Sequence, residues 1–135
     1  MTYAELHNTI NGRFKAQVAT PQSLTTIYDG DPTDPPTDGS RWCRFYVVDG
    51  DAHRITCGVK RYRLVGYFNA RLHWPVSTGI DGPMDMVDAI VSAFRAQTVG
   101  GVRYGTPYPQ IQGREGEYEI IDIICPFRAD TQEVA

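Results

Sequence analysis

The sequence predicts a single α+β domain in which two α-helices pack on a mainly antiparallel β-sheet. The chain has 135 residues, which suits one domain of the usual ~100–150 residues. Hydrophobic residues make up 41% of it, as in ordinary globular proteins. Nine prolines and thirteen glycines indicate many turns between short elements. Two segments show helical periodicity and several alternate with period two, so the class combines both structures.

The first predicted helix begins at a capping box. Residues 2–5 read Thr-Tyr-Ala-Glu, in which the Thr hydroxyl and the Glu carboxylate can satisfy free amide donors at a helix start. Leu6, Ile10 and Phe14 then recur every four residues and form one apolar stripe. We expect this helix to run to about Gln17 and to pack on another element.

A short strand and a conspicuous loop follow this helix. Residues 24–28 are rich in β-prone side chains and predict the first strand. Residues 29–40 are acidic, rich in Pro and Gly, and hold no apolar side chain that could anchor them to a core. We therefore expect an exposed loop that is mobile when the chain is free.

Period-two alternation then predicts three strands. Residues 42–48 alternate, and residues 49–51 read Asp-Gly-Asp, which is typical of a turn. The weaker strand 53–60 would complete a hairpin with the first one. Residues 64–74 form the clearest alternation in the chain and stop at Pro75.

The second helix is predicted over residues 83–97. A turn cluster precedes it at 77–82, and Pro83 suits the first helical position, where its missing amide donor costs little. The helix has one apolar face. Its charges agree with the helix dipole, because acidic residues lie near its start and Arg95 lies near its end. The apolar face comprises Met86, Ala89, Ile90, Ala93 and Phe94.

Two or three further strands complete the predicted fold. Residues 102–104 begin a strand, and 110–112 form another extended piece. Residues 118–127 are apolar on both alternating faces, which predicts a central strand. Residues 129–135 show no pattern, and we expect them to fray.

Charge is distributed unevenly along the chain. The net charge is −3, so the chain lacks the global basic footprint of nucleic-acid-binding proteins. Residues 41–76 nevertheless hold seven bases and two acids. Such a two-signed surface can guide contact between copies of the chain. It is equally consistent with solvated strand faces that carry arginines.

The sequence offers no recognisable catalytic motif. It contains neither a G-x-S-x-G elbow nor an H-E-x-x-H helix, and no lysine follows a glycine-rich loop. The three histidines and the three cysteines are dispersed, so we expect hydrogen-bonded histidines, buried thiols and no enzyme. These residues are His7, His53, His73, Cys43, Cys57 and Cys125. The first residues do not form a signal peptide, and no run reaches the ~18 apolar residues of a membrane span, which predicts a protein of the reducing cytosol.

The acidic loop 29–40 also invites a calcium interpretation. Its carboxylates are Asp29, Asp31, Asp34 and Asp38. The calcium-loop template fails, however, because its positions five, six and twelve are occupied by Thr33, Asp34 and Ser40. We therefore predict no cofactor, and at most weak binding of a divalent cation.

Residues 104–116 are a second candidate contact region. Tyr104, Tyr108 and Arg114 stand there among glutamines, a mixture common at protein interfaces. Long loops in compact domains are often functional. The alternative is an ordinary long hairpin.

Taken together, the succession of elements resembles the tail terminator family of long-tailed bacteriophages, and is similar to its minor tail protein U group. The resemblance covers almost the whole chain. It rests on the first helix, the Pro-rich loop before Arg-Trp-Cys-Arg-Phe at 41–45, and the strand 64–74. It continues through Gly-Ile-Asp-Gly-Pro at 79–83, the second helix, and the last strand with Ile-Ile-Cys-Pro-Phe at 123–127.

This resemblance implies a structural virion protein that forms a ring of six subunits. The ring would cap the head-proximal end of the tail tube, stop its polymerisation and join it to the head connector. Its partners would be copies of itself, the tube protein and the connector, with DNA passing through the lumen without specific binding and no membrane involved. Assembly would take place in the host cytoplasm, in a phage or prophage. The alternative is a tube or head-completion protein of related fold.

A closed ring uses heterologous contacts, in which two different patches of one subunit complement each other. The acidic loop and the basic stretch 41–76, with Arg61 and Arg63, are the candidate pair. Tyr104, Tyr108 and Arg114 are the further candidates for subunit or partner contact.

Overall fold

A computed structural model describes residues 2–54, 60–76, 79 and 81–133 of the chain. Two α-helices, one π-helical turn and seven strands follow one another in these ranges. In chain order they are α1 (Tyr3–Phe14), the π-helical turn (Lys15–Ala19), β1 (Thr26–Tyr28), β2 (Trp42–Arg54), β3 (Lys60–Pro75), α2 (Asp81–Phe94), β4 (Thr98–Val99), β5 (Val102–Tyr104), β6 (Tyr108–Glu115) and β7 (Tyr118–Glu133).

The strands form one curled sheet. Its order is β1-β2-β3-β7-β5-β4, and β6 also pairs with β7. Strand β1 runs parallel to β2, whereas the other pairs are antiparallel. On the edge of β7 away from β3, β6 pairs with residues 118–124 and β5 with residues 127–129. The predicted α+β class, a mainly antiparallel sheet with two helices, is confirmed.

Helix α1 begins at the predicted capping box. The Thr2 hydroxyl accepts a hydrogen bond from the Glu5 amide at 3.1 Å, and the Glu5 carboxylate accepts one from the Thr2 amide at 3.2 Å. These bonds satisfy two amide donors at the helix start. The stripe of Leu6, Ile10 and Phe14 is fully buried, as its spacing predicts.

The predicted hairpin turn at residues 49–51 is wrong. Strand β2 continues through it with a register shift between Asp49 and Ala52. Glycines allow the backbones of β2 and β3 to come close at this register shift. A Cβ atom on Gly50 would lie 2.9 Å from the Val65 carbonyl oxygen, and one on Gly66 would collide with the Val48 carbonyl oxygen. The Asp-Gly-Asp segment therefore forms a β-bulge within β2 and not a hairpin turn. Residues 55–59 of the predicted strand 53–60 lie outside the described residues.

Two other elements have ends that differ from the predicted ones. Helix α2 begins at Asp81 and ends at Phe94, and Ala96 adopts a left-handed φ of 53°. That conformation ends a helix. Strand β7 extends past Phe127, and residues 129–133, which we expected to fray, pair with β3. Burial of Ala129 stabilises this extension.

Both helices pack on the same face of the sheet, which we call the helix-covered face. Its core is aromatic at the centre, where Phe68 lies 5.0 Å from Phe45 and 4.7 Å from Phe94 between ring centroids. Cys43 and Cys125 are free thiols in this core. Burial raises the pKa of Cys125 to about 12, so the thiol stays protonated and inert. Cys57 lies outside the described residues.

Candidate interaction site

Among the described residues, no helix lies on the opposite face of the sheet, which holds polar groups at its centre. We call it the helix-free face, and define it by the second alternating set of β2, β3 and β7. At its centre Arg71 donates two hydrogen bonds to Asp122, at 2.8 and 3.1 Å. The Asp122 side chain is only 5% exposed, so this bidentate pair neutralises a buried carboxylate. Members of the face include Trp42, Arg44, Tyr46, Tyr67, Asn69, Arg71, His73, Ile120, Asp122 and Ile124.

An aromatic row crosses the same face at the ends of three strands. The His73 ring stacks on Trp42, with centroids 3.8 Å apart, and Tyr118 meets its other side edge-on at 6.0 Å. Burial lowers the pKa of His73 below its ordinary value. Its buried Nδ1 has no hydrogen-bond partner among the described residues. The stack therefore favours the neutral form of the imidazole.

The acidic loop 29–40 is largely exposed, and short hydrogen bonds organise it. The carboxylates of Asp31 and Asp38 each accept bonds from the amide and hydroxyl of the residue two positions on, Thr33 and Ser40. These bonds, with the hydroxyl bond as the largest cause, lower the pKa of both carboxyl groups. The Ser40 carbonyl accepts a bond from the Tyr118 hydroxyl at 3.1 Å, which fixes the end of the loop on β7.

The described side chains of the basic stretch 41–76 do not form one free surface. Arg63 pairs with Asp130 at 2.9 Å, and Arg71 is committed to Asp122. Arg41 lies over the Trp74 ring at 4.9 Å and donates to the Gln22 carbonyl. The side chain of Arg61 lies outside the described residues. Charge counted along the sequence therefore overstates what this stretch can offer a partner.

Register brings together three arginines that sequence order separates. Arg103 pairs with Arg128 across β5 and β7, and Arg63 pairs with Asp130 across β3 and β7. These four side chains line an open cavity of about 350 Å³ together with Thr98 and Gly101. We call Arg63, Arg103 and Arg128 the arginine cluster. Sequence reasoning missed Arg103 and Arg128, because only the joint pairing of β7 with β3 and β5 joins them.

The second predicted contact region divides between core and surface. Tyr104 is 1% exposed and packs edge-on against Phe94 at 4.9 Å, so it belongs to the core. Tyr108 is 50% exposed, and Arg114 is also exposed. Both stand on β6, which pairs with β7 alone in the part of the chain that is described. Ile111 on the same strand is 58% exposed, and β6 is therefore an edge strand with accessible apolar side chains.

The described ranges hold no group of three or more His, Cys, Asp or Glu side chains placed to bind a metal ion. None of their helices is long and apolar enough to cross a membrane.

A family comparison indicates the assembly to which the chain belongs. Residues 5–118 match the family model described as phage tail terminator protein. The chain belongs to the phage tail terminator family. The resemblance predicted from the sequence is thus confirmed. This terminator is a structural protein of the phage tail and assembles with other tail or head components.

Comparison with solved structures supports the fold of the terminator. One solved protein, which carries no functional name, is 14% identical to the chain with a TM-score of 0.67. The likeness covers 100% of the terminator and 98% of that protein, and at this identity it shows the fold alone. A comparison with curated proteins found no match.

Proposed function

We propose that the chain forms a ring of six subunits that caps the head-proximal end of the tail tube. The ring stops tube polymerisation and joins the tube to the head connector. The observation that carries this proposal is the family match over residues 5–118. The chain is encoded by a phage or a prophage, and its subunits assemble in the host cytoplasm. DNA passes through the ring without specific binding.

The shape of the sheet supports a closed ring. Strand β1 lies at one end of the strand order, and β6 and β4 lie at the other. The first end carries the acidic loop 29–40, whereas the second carries exposed Tyr108 and Ile111. Two unlike surfaces at opposite ends of one subunit are what a heterologous contact needs, and such contacts close rings when the rotation permits.

We also propose that the chain has no catalytic activity and needs no cofactor. Two buried polar side chains support this view, because each is held by a neighbouring side chain. Asp122 is bound to Arg71, and Asn69 donates to the Tyr46 hydroxyl at 2.6 Å. Any binding of divalent cations by the acidic loop would be weak and incidental to assembly.

The experiment is a tube-arrest assay. Cognate tube subunits are allowed to elongate, the purified chain is added, and tube length is measured by electron microscopy. We expect elongation to stop and extra density to appear at one end of each tube. Continued elongation, or incorporation of the chain along the whole tube, would overturn the proposal, and the second result would indicate a tube protein.

A matched pair of variants sharpens this assay. Tyr108→Asp places a charge on the exposed edge strand β6, whereas Tyr3→Asp places one on α1, where the side chain is 49% exposed against 50% for Tyr108. We expect Tyr108→Asp to lose arrest and Tyr3→Asp to retain it. Equal arrest by both variants would remove β6 from the contact.

A further inference from the structure

The arginine cluster has more positive charge than the chain itself neutralises. Arg63 is bound to Asp130 through two hydrogen bonds, at 2.9 and 3.2 Å. Within the described residues, Arg103 and Arg128 make no ion pair. Two guanidinium groups therefore face the cavity of about 350 Å³, and the carboxylate beside them, Asp130, is already bonded to Arg63.

Asp130, the carboxylate among the described residues that line the cavity, is affected by this excess of positive charge. The pKa of Asp130 is lowered, first by its hydrogen bond with Arg63 and then by the charges of Arg63, Arg128 and Arg103. Like charges at directly paired positions destabilise a sheet, and Arg103 pairs with Arg128. The chain keeps this unfavourable pair at an accessible place, where an incoming anion would relieve it.

The acidic loop 29–40 has the complementary chemistry. The carboxylates of Asp29 and Asp34 are exposed and make no hydrogen bond within the described part of the chain. Asp31 and Asp38 each use a single oxygen, Oδ1, for their own turns, which leaves the second oxygen available. The loop thus presents preformed carboxylates to a partner. Guanidinium and carboxylate groups form bidentate pairs of matched geometry.

The loop cannot serve the cluster of its own subunit. Tyr28, where the loop begins, pairs with Phe45, which pairs with Ala70. Ala70 stands seven residues from Arg63 along β3, roughly 23 Å at ~3.3 Å per residue. The loop ends even farther away, at Ser40 beside Tyr118, and Tyr118 pairs with Pro75 at the end of β3 remote from Arg63.

From this complementarity we infer that the arginine cluster is the docking site for the acidic loop of a second copy of the chain. The inference rests on the proposed ring and names its contact: Arg103 and Arg128 of one subunit receive Asp29 and Asp34 of the next. Because loop and cluster are different patches, the contact is heterologous and propagates around a ring. Arg63 keeps its hydrogen bonds to Asp130 and lines the same cavity.

Double-stranded DNA is the other anion that such a cluster could meet. The cluster suits it less well, because only two of its arginines are without an ion pair among the described residues, and the chain as a whole carries a net charge of −3. DNA binding typically draws on a broad positive surface that contacts many phosphates.

The test uses charge reversal at each patch of the full chain. The loop variant is Asp29→Lys/Asp34→Lys, which spares the two aspartates that form turns. The cluster variant is Arg103→Glu/Arg128→Glu. Matched controls with the same changes of charge are Asp85→Lys/Asp88→Lys on α2 and Lys15→Glu/Arg95→Glu, all at exposed positions. Circular dichroism verifies folding, and sedimentation over a range of concentrations at low salt gives the mass.

We expect the wild-type chain and both controls to form oligomers, and each patch variant alone to stay monomeric. A mixture of the two patch variants should form oligomers of alternating subunits, because each contact between unlike variants then joins groups of opposite charge. Combining both reversals in one chain should restore the oligomer. Arg103→Gln/Arg128→Gln, which avoids new repulsion with Asp130, repeats the test if the cluster variant fails to fold.

Oligomers unaffected by either reversal would overturn the inference while leaving the terminator function intact, since the tube-arrest assay reports on that function separately. A wild-type chain that stays monomeric at every concentration would also overturn it. Loss of binding to a short DNA duplex by the cluster variant, with its oligomer mass unchanged, would assign the cluster to DNA phosphates.

Discussion

The two faces of the sheet are made by the same strands and yet follow different rules. The helix-covered face is apolar, and it holds the contacts between aromatic rings around Phe68. The helix-free face holds Asn69 and Asp122, the buried polar or charged residues of the described chain. A face built for stability alone would not bury a carboxylate, because its desolvation offsets much of what its pairing returns. The first face therefore holds the fold together, whereas the second carries buried polar groups that stability alone does not explain.

The largest effect should come from the helix-covered face. Phe68→Ala removes a fully buried ring from the centre of the core. We expect the free energy of unfolding to fall by about 3–5 kcal/mol, the usual loss for a large core side chain replaced by alanine. Urea denaturation measures the change. Tyr67→Ala, on the other face at 38% exposure, is the control and should cost less than about 1.5 kcal/mol.

Arg71→Ala should have the next largest effect, because it leaves Asp122 buried without its partner. We expect a loss of about 2–3 kcal/mol, below the ~3–5 kcal/mol of a fully buried pair, since the Arg71 side chain is 38% exposed. Arg71→Lys keeps the charge and should lose less. An Arg71→Ala protein as stable as the wild type would show that water compensates Asp122, and the contrast between the faces would weaken.

The His73 stack predicts a dependence of stability on pH. The pKa of His73 is lowered in the folded protein, mainly by burial, so the unfolded chain takes up the proton first as pH falls below the ordinary value of 6.5. Its contribution to stability is therefore present above pH 6.5 and is lost toward lower pH. His73→Phe keeps an aromatic ring on Trp42 and removes the proton site.

Stability curves of wild type and His73→Phe, measured by urea denaturation between pH 7.5 and 5.5, isolate this effect because other titrating groups are shared. We expect the variant to gain stability relative to the wild type as pH falls. Parallel curves would mean that the imidazole titrates normally in the stack.

The smallest effect should come from Arg44→Gln on the helix-free face. Arg44 is exposed and pairs directly with Arg71, a like-charge neighbour, while its guanidinium lies 5.8 Å from the Trp42 ring centroid. The repulsion and the cation–π attraction oppose each other, so we expect a change within about 0.5 kcal/mol. A thermal melt in matched buffer measures it. A loss above 1.5 kcal/mol would place Arg44 among the residues that hold the fold.

Local sequence patterns predicted most helices and strands, whereas they could not predict which residues pair across strands. The capping box at residues 2–5 and the alternation of 64–74 depend on near neighbours, which the sequence displays directly. The bulge at Asp49 depends on Gly66, which reaches it only through the β2–β3 register. For the same reason Tyr104 resembled a contact residue although it lies in the core, and Arg128 gave no sign that it meets Arg103.

The most direct test of the proposed ring is the mass of the purified chain over a range of concentrations, with and without cognate tube ends, followed by electron microscopy. We expect a species of six times the 15.1 kDa of one chain, seen as closed rings free or seated on tube ends. Open tubes made of the chain itself, or a monomer that persists when tube ends are present, would contradict the proposal that this terminator closes into a hexameric cap.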